Sequence, residues 1–365
     1  MRIDCAEASF FQVGGVMEKT KRIGILTGGG DCPGLNAAIR AITKSTIPLG
    51  YGVIGIRNGW NGFLDNEYTT LDRVNTSGII DRGGTILGTS RVSPLRIQNG
   101  TQRVFDGLKE LGLEALVVLG GEGTLSLTSK LYKLGLPVIG IPKTIDNDVE
   151  GTDFTIGFQT AVQIATNALD RLRSTAESHH RIMLLEVMGR HAGWIATYSG
   201  MANGADAICI PEFPLNKLRV EELCQMLIVR NKKGVNFSVV VVAEGTPLED
   251  KGINVLSTGT SESRETHPLG GVAGALGEII EDKTGLETRV SSLGYVQRGG
   301  TPVAYDRSLA TAFGVMATRL VEQKTYGVMT ALKENQITTV PLEKIENQIK
   351  KVNPKIYRIA ELFFG

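Results

Sequence analysis

Short runs rich in Val, Ile and Leu recur along the chain, and each stops abruptly at glycines or polar residues: KRIGILT runs into GGGD, EALVVL into GGEGT, and LPVIGI into PKTIDND. RIMLLEV into MGRHAG, ADAICI into PEFP, and FSVVVVA into EGT continue the pattern, with helically spaced stretches such as GFQTAVQIATNALDRLRS in between. Continuous apolar strands alternating with helices predict parallel sheets covered on both faces, an α/β architecture. Ligands of such sheets collect beyond the carboxyl ends of the strands, where the connecting loops converge. Nearly every chemically suggestive residue in this chain falls at such a strand end. Near the C-terminus, PLEKIENQIKKVNPKIYRIAELF predicts an amphipathic helix, a break at Pro354 and a short second helix. Residues 1 to about 16 have no clear period and are expected to form a flexible tail, and the polar SESRETHPLGG stretch a surface loop.

Composition narrows the classes. A chain of 365 residues is long for one ordinary core and suggests two domains. With 42% hydrophobic and 21% charged residues it has the profile of a soluble globular protein, not a disordered or membrane-spanning one. No apolar run approaches the roughly 20 residues that cross a bilayer, and MRIDCAEASFFQVGG lacks the basic and apolar regions of a secretion signal, so a cytoplasmic location is expected. The net charge of +1 offers no general field for nucleic acid or an anionic membrane, so any anion site must be local. Cys5, Cys32, Cys209 and Cys224 are scattered without CxxC spacing, which indicates neither a disulfide framework nor a zinc site. His179 and His180 lie together in a polar stretch that reads as a solvated loop, and they are not catalytic candidates.

Three loops carry the chemistry. Gly28, Gly29 and Gly30 follow the first strand and lead through Pro33 and Gly34 into the helix NAAIRAITKS. Glycines let a backbone approach a ligand closely, and a helix start presents N–H groups that favour phosphate. A purely structural turn explains this loop equally well, and neither GxGxxG nor GxxxxGK[ST] is present. The loop Gly120-Gly121-Glu122-Gly123-Thr124 sets a carboxylate between glycines. Beside a phosphate that carboxylate calls for a cation, which makes magnesium the natural inference and Glu122 its candidate ligand; a solvated turn glutamate is the alternative. In Pro142-Lys143-Thr144-Ile145-Asp146-Asn147-Asp148, two carboxylates spaced i, i+2 stand with a threonine and a lysine at a strand end. One carboxylate can accept a hydroxyl proton while the other helps hold a metal. Further along, Arg181 and Arg190 flank another strand, Glu244 ends a later one, and Arg289 and Arg298 form a second basic group. Most arginines are surface charges, but the planar fork binds phosphate bidentately, and these stand beside strand ends.

Taken in order, GGGDCPGLNAAIR, GGTILGTSR, GGEGT, PKTIDND, MGRHAGW, PE, AEGT and LGYVQRGGTP resemble the ordered motifs of the phosphofructokinase family, from about residue 20 to about residue 310. The resemblance implies two Rossmann-like lobes with mainly parallel sheets: residues 17–157 plus 297–347 for the phosphoryl donor, and 158–296 plus 348–365 for fructose 6-phosphate. It implies a 6-phosphofructokinase that phosphorylates the 1-hydroxyl of fructose 6-phosphate with magnesium. Asp146 matches the family's general base, Thr144 and Asp148 flank it at the transferred group and metal, and Arg190 matches an arginine that stabilises the moving phosphoryl. Gly30, Arg91, Arg96, Gly123, Thr124 and Lys143 fall on the donor side. Met188, Gly189, Glu244, Tyr295 and Arg298 match positions around the sugar phosphate, and Arg181 and Arg289 match arginines lent by a neighbouring subunit. A homo-oligomer with shared sites follows, a tetramer or a dimer.

Several positions depart from the common bacterial ATP-using pattern. The second loop reads GGEG where GGDG is usual, which lengthens the metal carboxylate by one methylene. Lys143 replaces a glycine, and Tyr295 a histidine; both resemble the pyrophosphate-using branch. Gly123 resembles the nucleotide users, because the aspartate typical of pyrophosphate enzymes would obstruct a nucleotide's α-phosphate. ATP is therefore the preferred donor reading, with pyrophosphate or ADP as alternatives. Arg40 matches an effector-site arginine while Lys44 replaces another, so allosteric control is a family-level expectation only. A silent regulatory subunit is opposed by the intact Thr144, Asp146, Asp148 and Arg190. A nicotinamide oxidoreductase is opposed by the missing glycine fingerprint and acidic ribose residue.

Overall fold

The computed structural model describes residues 21–249 and 271–365. Cys5, the proposed N-terminal tail and the SESRETHPLGG stretch up to Gly270 lie outside the described residues. Each apolar run of the sequence becomes a buried strand, and the glycine or polar residues that stop it form the turn into the next helix. In chain order the first elements are β1 (Arg22–Thr27), α1 (Leu35–Thr46), β2 (Gly52–Ile56), α2 (Asn61–Asp65), β3 (Tyr68–Leu71), α3 (Gly100–Glu110), β4 (Leu113–Gly120), α4 (Glu122–Lys133) and β5 (Val138–Pro142). Next come α5 (Phe158–His179), β6 (Ile182–Val187), α6 (Trp194–Asn203), β7 (Ala207–Cys209), α7 (Lys217–Lys232), β8 (Ser238–Ala243), α8 (Val272–Thr284) and β9 (Thr288–Ser292). The chain closes with α9 (Ala304–Glu322), β10 (Val328–Lys333), β11 (Gln336–Pro341) and α10 (Pro354–Glu361).

The strands form a seven-stranded sheet ordered β11-β10-β5-β4-β1-β2-β3 and a four-stranded sheet ordered β7-β8-β6-β9. Every pair in the second sheet is parallel, as are the central pairs of the first; only the edge strands β3 and β11 run antiparallel. The α/β expectation with mainly parallel sheets therefore holds. Parallel strands covered on both faces need apolar side chains on both sides, which explains why β6 and β8 are buried at every position.

Two buried carboxylates cap helices from outside. Asp306, at the start of α9, accepts the Gly157 and Thr160 N–H groups at 3.0 and 2.8 Å and the Thr160 hydroxyl at 2.5 Å, which satisfies the amino end of the 22-residue α5. Glu186 on β6 accepts the N–H groups of Gly271 and Ala273 and so caps α8. Two local expectations fail. His179 is the last residue of α5 and His180 its left-handed cap, so the polar stretch around them is largely helical. The helix expected over PLEKIENQIKK does not form: a single turn, Leu342–Ile345, is followed by left-handed Asn347 and an extended segment. The backbone donors of that segment go to tertiary partners, Lys350 N–H to Asp148 O and Val352 N–H to Glu212, and tertiary pairing outweighs helical spacing there. The short second helix forms as α10. No helix among the described residues is long and apolar enough to cross a membrane.

Candidate functional site

β1, β4 and β5 are adjacent parallel strands, so the three loops singled out in the sequence leave the same edge of one sheet. The loops also touch. Lys143 N–H donates to Gly120 O at 3.0 Å, and a Cβ built on Gly121 would stand 3.6 Å from the Thr144 Cβ. The glycine loop after β1 is held from the other side, where Gly29 N–H donates to Ser90 O at 2.9 Å and the Thr89 hydroxyl to Gly29 O at 2.6 Å. Gly29 has φ +83°, which only glycine adopts without strain. The Thr124 side chain packs against Gly28 and Gly120, whereas nothing lies within 4 Å of a Cβ built on Gly123.

The third loop is built to hold its two carboxylates. The Thr144 hydroxyl accepts the Asp146 N–H at 3.1 Å, the Thr155 hydroxyl donates to Thr144 O at 2.7 Å, and Asn147, at φ +50°, ties the loop to Asp153 and Thr155. Asp146 and Asp148 each keep a partly exposed face. Desolvation raises the Asp146 carboxyl, and the charges of Arg298, Arg190 and Lys143 pull it back down. Desolvation, then the charges of Asp146 and Glu122, push Asp148 up to about 7. Lys143 is 2% exposed and donates from Nζ to Gly30 O at 2.5 Å; burial lowers its pKa.

The second sheet supplies the facing wall. Met188, Gly189 and Arg190 follow β6 and Glu244 follows β8, neighbouring strands whose loops are joined by Gly245 N–H donating to Gly189 O at 3.1 Å. Desolvation, then the Asp146 and Glu186 charges, raise Glu244 to about 7, so this carboxylate shares the field of the first sheet's loop. Arg298 crosses between the walls. A Cβ on Gly30 would stand 2.6 Å from Arg298 Nη1, and Arg298 Nε is buried without a hydrogen-bond partner among the described residues. Gly30 and Arg298, assigned to opposite ligands in the sequence reading, are thus direct neighbours.

Other candidates stand apart. Tyr295 is 79% exposed, with the Arg298 guanidinium 5.6 Å from its ring centroid. Arg91 and Arg96 are exposed on the segment that also carries Ser90. Arg181 and Arg289 lie at the amino ends of β6 and β9, a strand's length of roughly 20 Å from Met188. Both pair with Glu287, Arg181 at 2.8 Å, and neither reaches this chain's own cleft.

The family model described as Phosphofructokinase matches residues 22–321. The chain belongs to the phosphofructokinase family. Among relatives, a pyrophosphate–fructose 6-phosphate 1-phosphotransferase of Streptomyces coelicolor is 47% identical over 346 residues, 94% of this chain and 100% of the relative. The ATP-dependent 6-phosphofructokinase 3 of the same organism is also 47% identical, over 93% of this chain and 99% of the relative. Overall similarity is therefore indifferent to the donor. A solved phosphofructokinase from Saccharomyces cerevisiae is 34% identical with a TM-score of 0.77; it covers 90% of this chain, which spans 45% of that longer one.

In this phosphofructokinase-family cleft two residues escaped the sequence reading. Gln297 is fully buried; its Oε1 accepts the Met188 N–H at 3.2 Å and its Nε2 donates to Gly294 O at 3.1 Å, which fixes the turn carrying Arg298. It sits inside the noted GYVQRGG motif but has no titratable group to attract attention. Lys350, beside Asp148, lies in a segment whose sequence mimics a helix. Among the described residues no three carboxylates, histidines or thiols close into a metal cage. Glu122 and Asp148 still share one electrostatic patch. Such a pair suits magnesium, which is held by one or two carboxylates plus substrate phosphates and water.

Proposed function

We propose that the protein transfers a phosphoryl group to the 1-hydroxyl of fructose 6-phosphate, giving fructose 1,6-bisphosphate. The observation that carries this reading is the single cleft in which Asp146 and the glycine loops leave one sheet edge while Arg190 and Glu244 face them from another. Asp146 takes the hydroxyl proton: desolvation raises its basicity, and the charges of Arg298, Arg190 and Lys143 oppose that rise. Arg190 offsets charge on the moving phosphoryl, in keeping with a reaction dominated by positioning and electrostatics. Met188, Gly189, Glu244, Tyr295 and Arg298 receive the sugar phosphate, and the buried, unpartnered Arg298 Nε supports that role. Gly30, Thr124, Arg91 and Arg96 receive the donor. Glu122 and Asp148 would hold magnesium, which supplies charge neutralisation of the phosphate oxygens when bound.

ATP is the proposed donor, because the open flank of Gly123 leaves room for a nucleotide. One observation favours a second reading with pyrophosphate: the Lys143 ammonium is aimed at the glycine loop after β1. We also propose a cytoplasmic homo-oligomer in which Arg181 and Arg289, remote from this chain's cleft, complete a neighbour's sugar-phosphate site. Initial rates with ATP, pyrophosphate and ADP, at fixed fructose 6-phosphate and magnesium, test the reading. Fructose 1,6-bisphosphate should form fastest with ATP. No product with any donor would leave a silent regulatory subunit.

A further inference from the structure

The extended segment that replaces the expected C-terminal helix runs between the two loops that face each other across the cleft. Toward the first sheet, Ile349 pairs antiparallel with Val149, Lys350 N–H donates to Asp148 O at 2.9 Å, and Lys350 Nζ donates to the carbonyls of Thr152 and Asp153, both at 2.8 Å. Toward the second sheet, Trp194 Nε1 donates to Lys350 O at 2.9 Å, and Lys350 Nζ lies 5.0 Å from a Trp194 ring centroid. Two residues on, Val352 N–H donates to Glu212 Oε1 at 2.9 Å, and the same carboxylate accepts Gly193 N–H at 3.1 Å.

Lys350 therefore commits its N–H, its carbonyl and its ammonium to structures on both walls, and Glu212 repeats the link. The groups joined are the Asp148 carbonyl and residues 149–153 just after it on one side, and Gly193 and Trp194, which follow Arg190, on the other. We propose that Lys350 and Glu212 are positioning residues that strap the Asp146–Asp148 loop to the Met188–Gly193 loop and so set the spacing between the base and the phosphoryl-stabilising arginine. This rests on the phosphoryl-transfer reading above. Neither residue touches the reacting groups; both act through the loops they hold. Two loops on separate sheets have no shared backbone ladder to fix that spacing, and a misplacement of about 1 Å costs on the order of 100-fold in rate.

The test compares Lys350→Met, Lys350→Arg and Trp194→Phe in the full chain, by steady-state kinetics and amide hydrogen exchange. Lys350→Met should lower kcat about 10- to 100-fold while KM for fructose 6-phosphate stays within about threefold. Lys350→Arg, which can still reach the two carbonyls, should recover most of that loss. In Lys350→Met, amides of residues 144–153 and 188–193 should exchange faster together. Trp194→Phe removes one N–H donor and keeps an aromatic, though smaller, ring, so it carries the test if Lys350→Met does not fold; it should lower kcat and loosen both segments to a smaller extent. Unchanged kcat, a change confined to KM, or faster exchange in only one of the two segments overturns the strap. If the wild-type protein makes no fructose 1,6-bisphosphate with any donor, the functional reading fails, and joint exchange of the two segments still decides whether Lys350 couples them.

Discussion

Lys143→Met isolates the feature of the donor loops that points away from ATP. The lysine is 2% exposed, its Nζ donates to Gly30 O at 2.5 Å, and it lies 3.5 Å from where a Gly29 Cβ would stand. An ammonium there meets whatever phosphate enters the glycine loop. A charge-assisted hydrogen bond is worth about 1.5–3 kcal/mol, or roughly 10- to 150-fold in kcat/KM. Methionine keeps most of the stem, and the lost hydrogen bond to Gly30 is offset by no longer burying a charge, so stability should move by about 1 kcal/mol or less. With pyrophosphate, which offers the protein nothing but phosphate, the full 10- to 150-fold loss is expected. With ATP, further contacts beyond Gly123 share the binding, and the loss should stay below about tenfold. The assay is the initial rate of fructose 1,6-bisphosphate formation with each donor, alongside a urea melt. A collapse of ATP-driven turnover in a protein that never used pyrophosphate refutes this view of Lys143.

Three further outcomes follow from the packing and the charges. Gly30→Ala places a methyl 2.6 Å from Arg298 Nη1, a flexible tip that can yield, so KM for fructose 6-phosphate should rise several-fold although the change lies in the donor loop; a rise confined to the donor KM contradicts the contact. Asp306→Ala strips three hydrogen bonds from the amino end of α5 and should cost about 3–5 kcal/mol in urea unfolding, against less than 1 kcal/mol if the cap is dispensable. Glu244, raised from 4.5 to about 7, binds its proton more tightly folded than unfolded. Between those values the native state holds the extra proton, so this group's contribution to the stability of ligand-free protein should fall by about 2–3 kcal/mol as pH rises from 4.5 to 7 and then level off. Glu244→Gln should flatten that slope in urea melts across the range; an unchanged slope shows that other groups titrate.

Much of this was legible in the sequence because parallel strands demand uninterrupted apolar runs and strand ends demand glycine or polar turns. β1, β4 and β5 were readable from KRIGILT, EALVVL and LPVIGI, and the adjacency of their loops follows from sheet order. What escaped depends on distant contacts. Gly30 and Arg298 are far apart in sequence, so their meeting leaves no local trace. The PLEKIENQIKK stretch has helical spacing, yet its backbone donors find Asp148 and Glu212, partners that exist only once both walls are folded. Arg181 and Arg289 sit at strand starts, where periodicity says nothing about what an arginine side chain meets.

The central claim is that the carboxylate of Asp146 acts as base within a cleft shared by the donor loops. Asp146→Asn tests it most directly, with product formation and ligand binding measured on the same protein. Turnover should fall by about 10³-fold or more, while fructose 6-phosphate binds as well or more tightly, since an anion no longer meets a carboxylate in the cleft. Turnover within about tenfold of the wild-type rate would contradict the account.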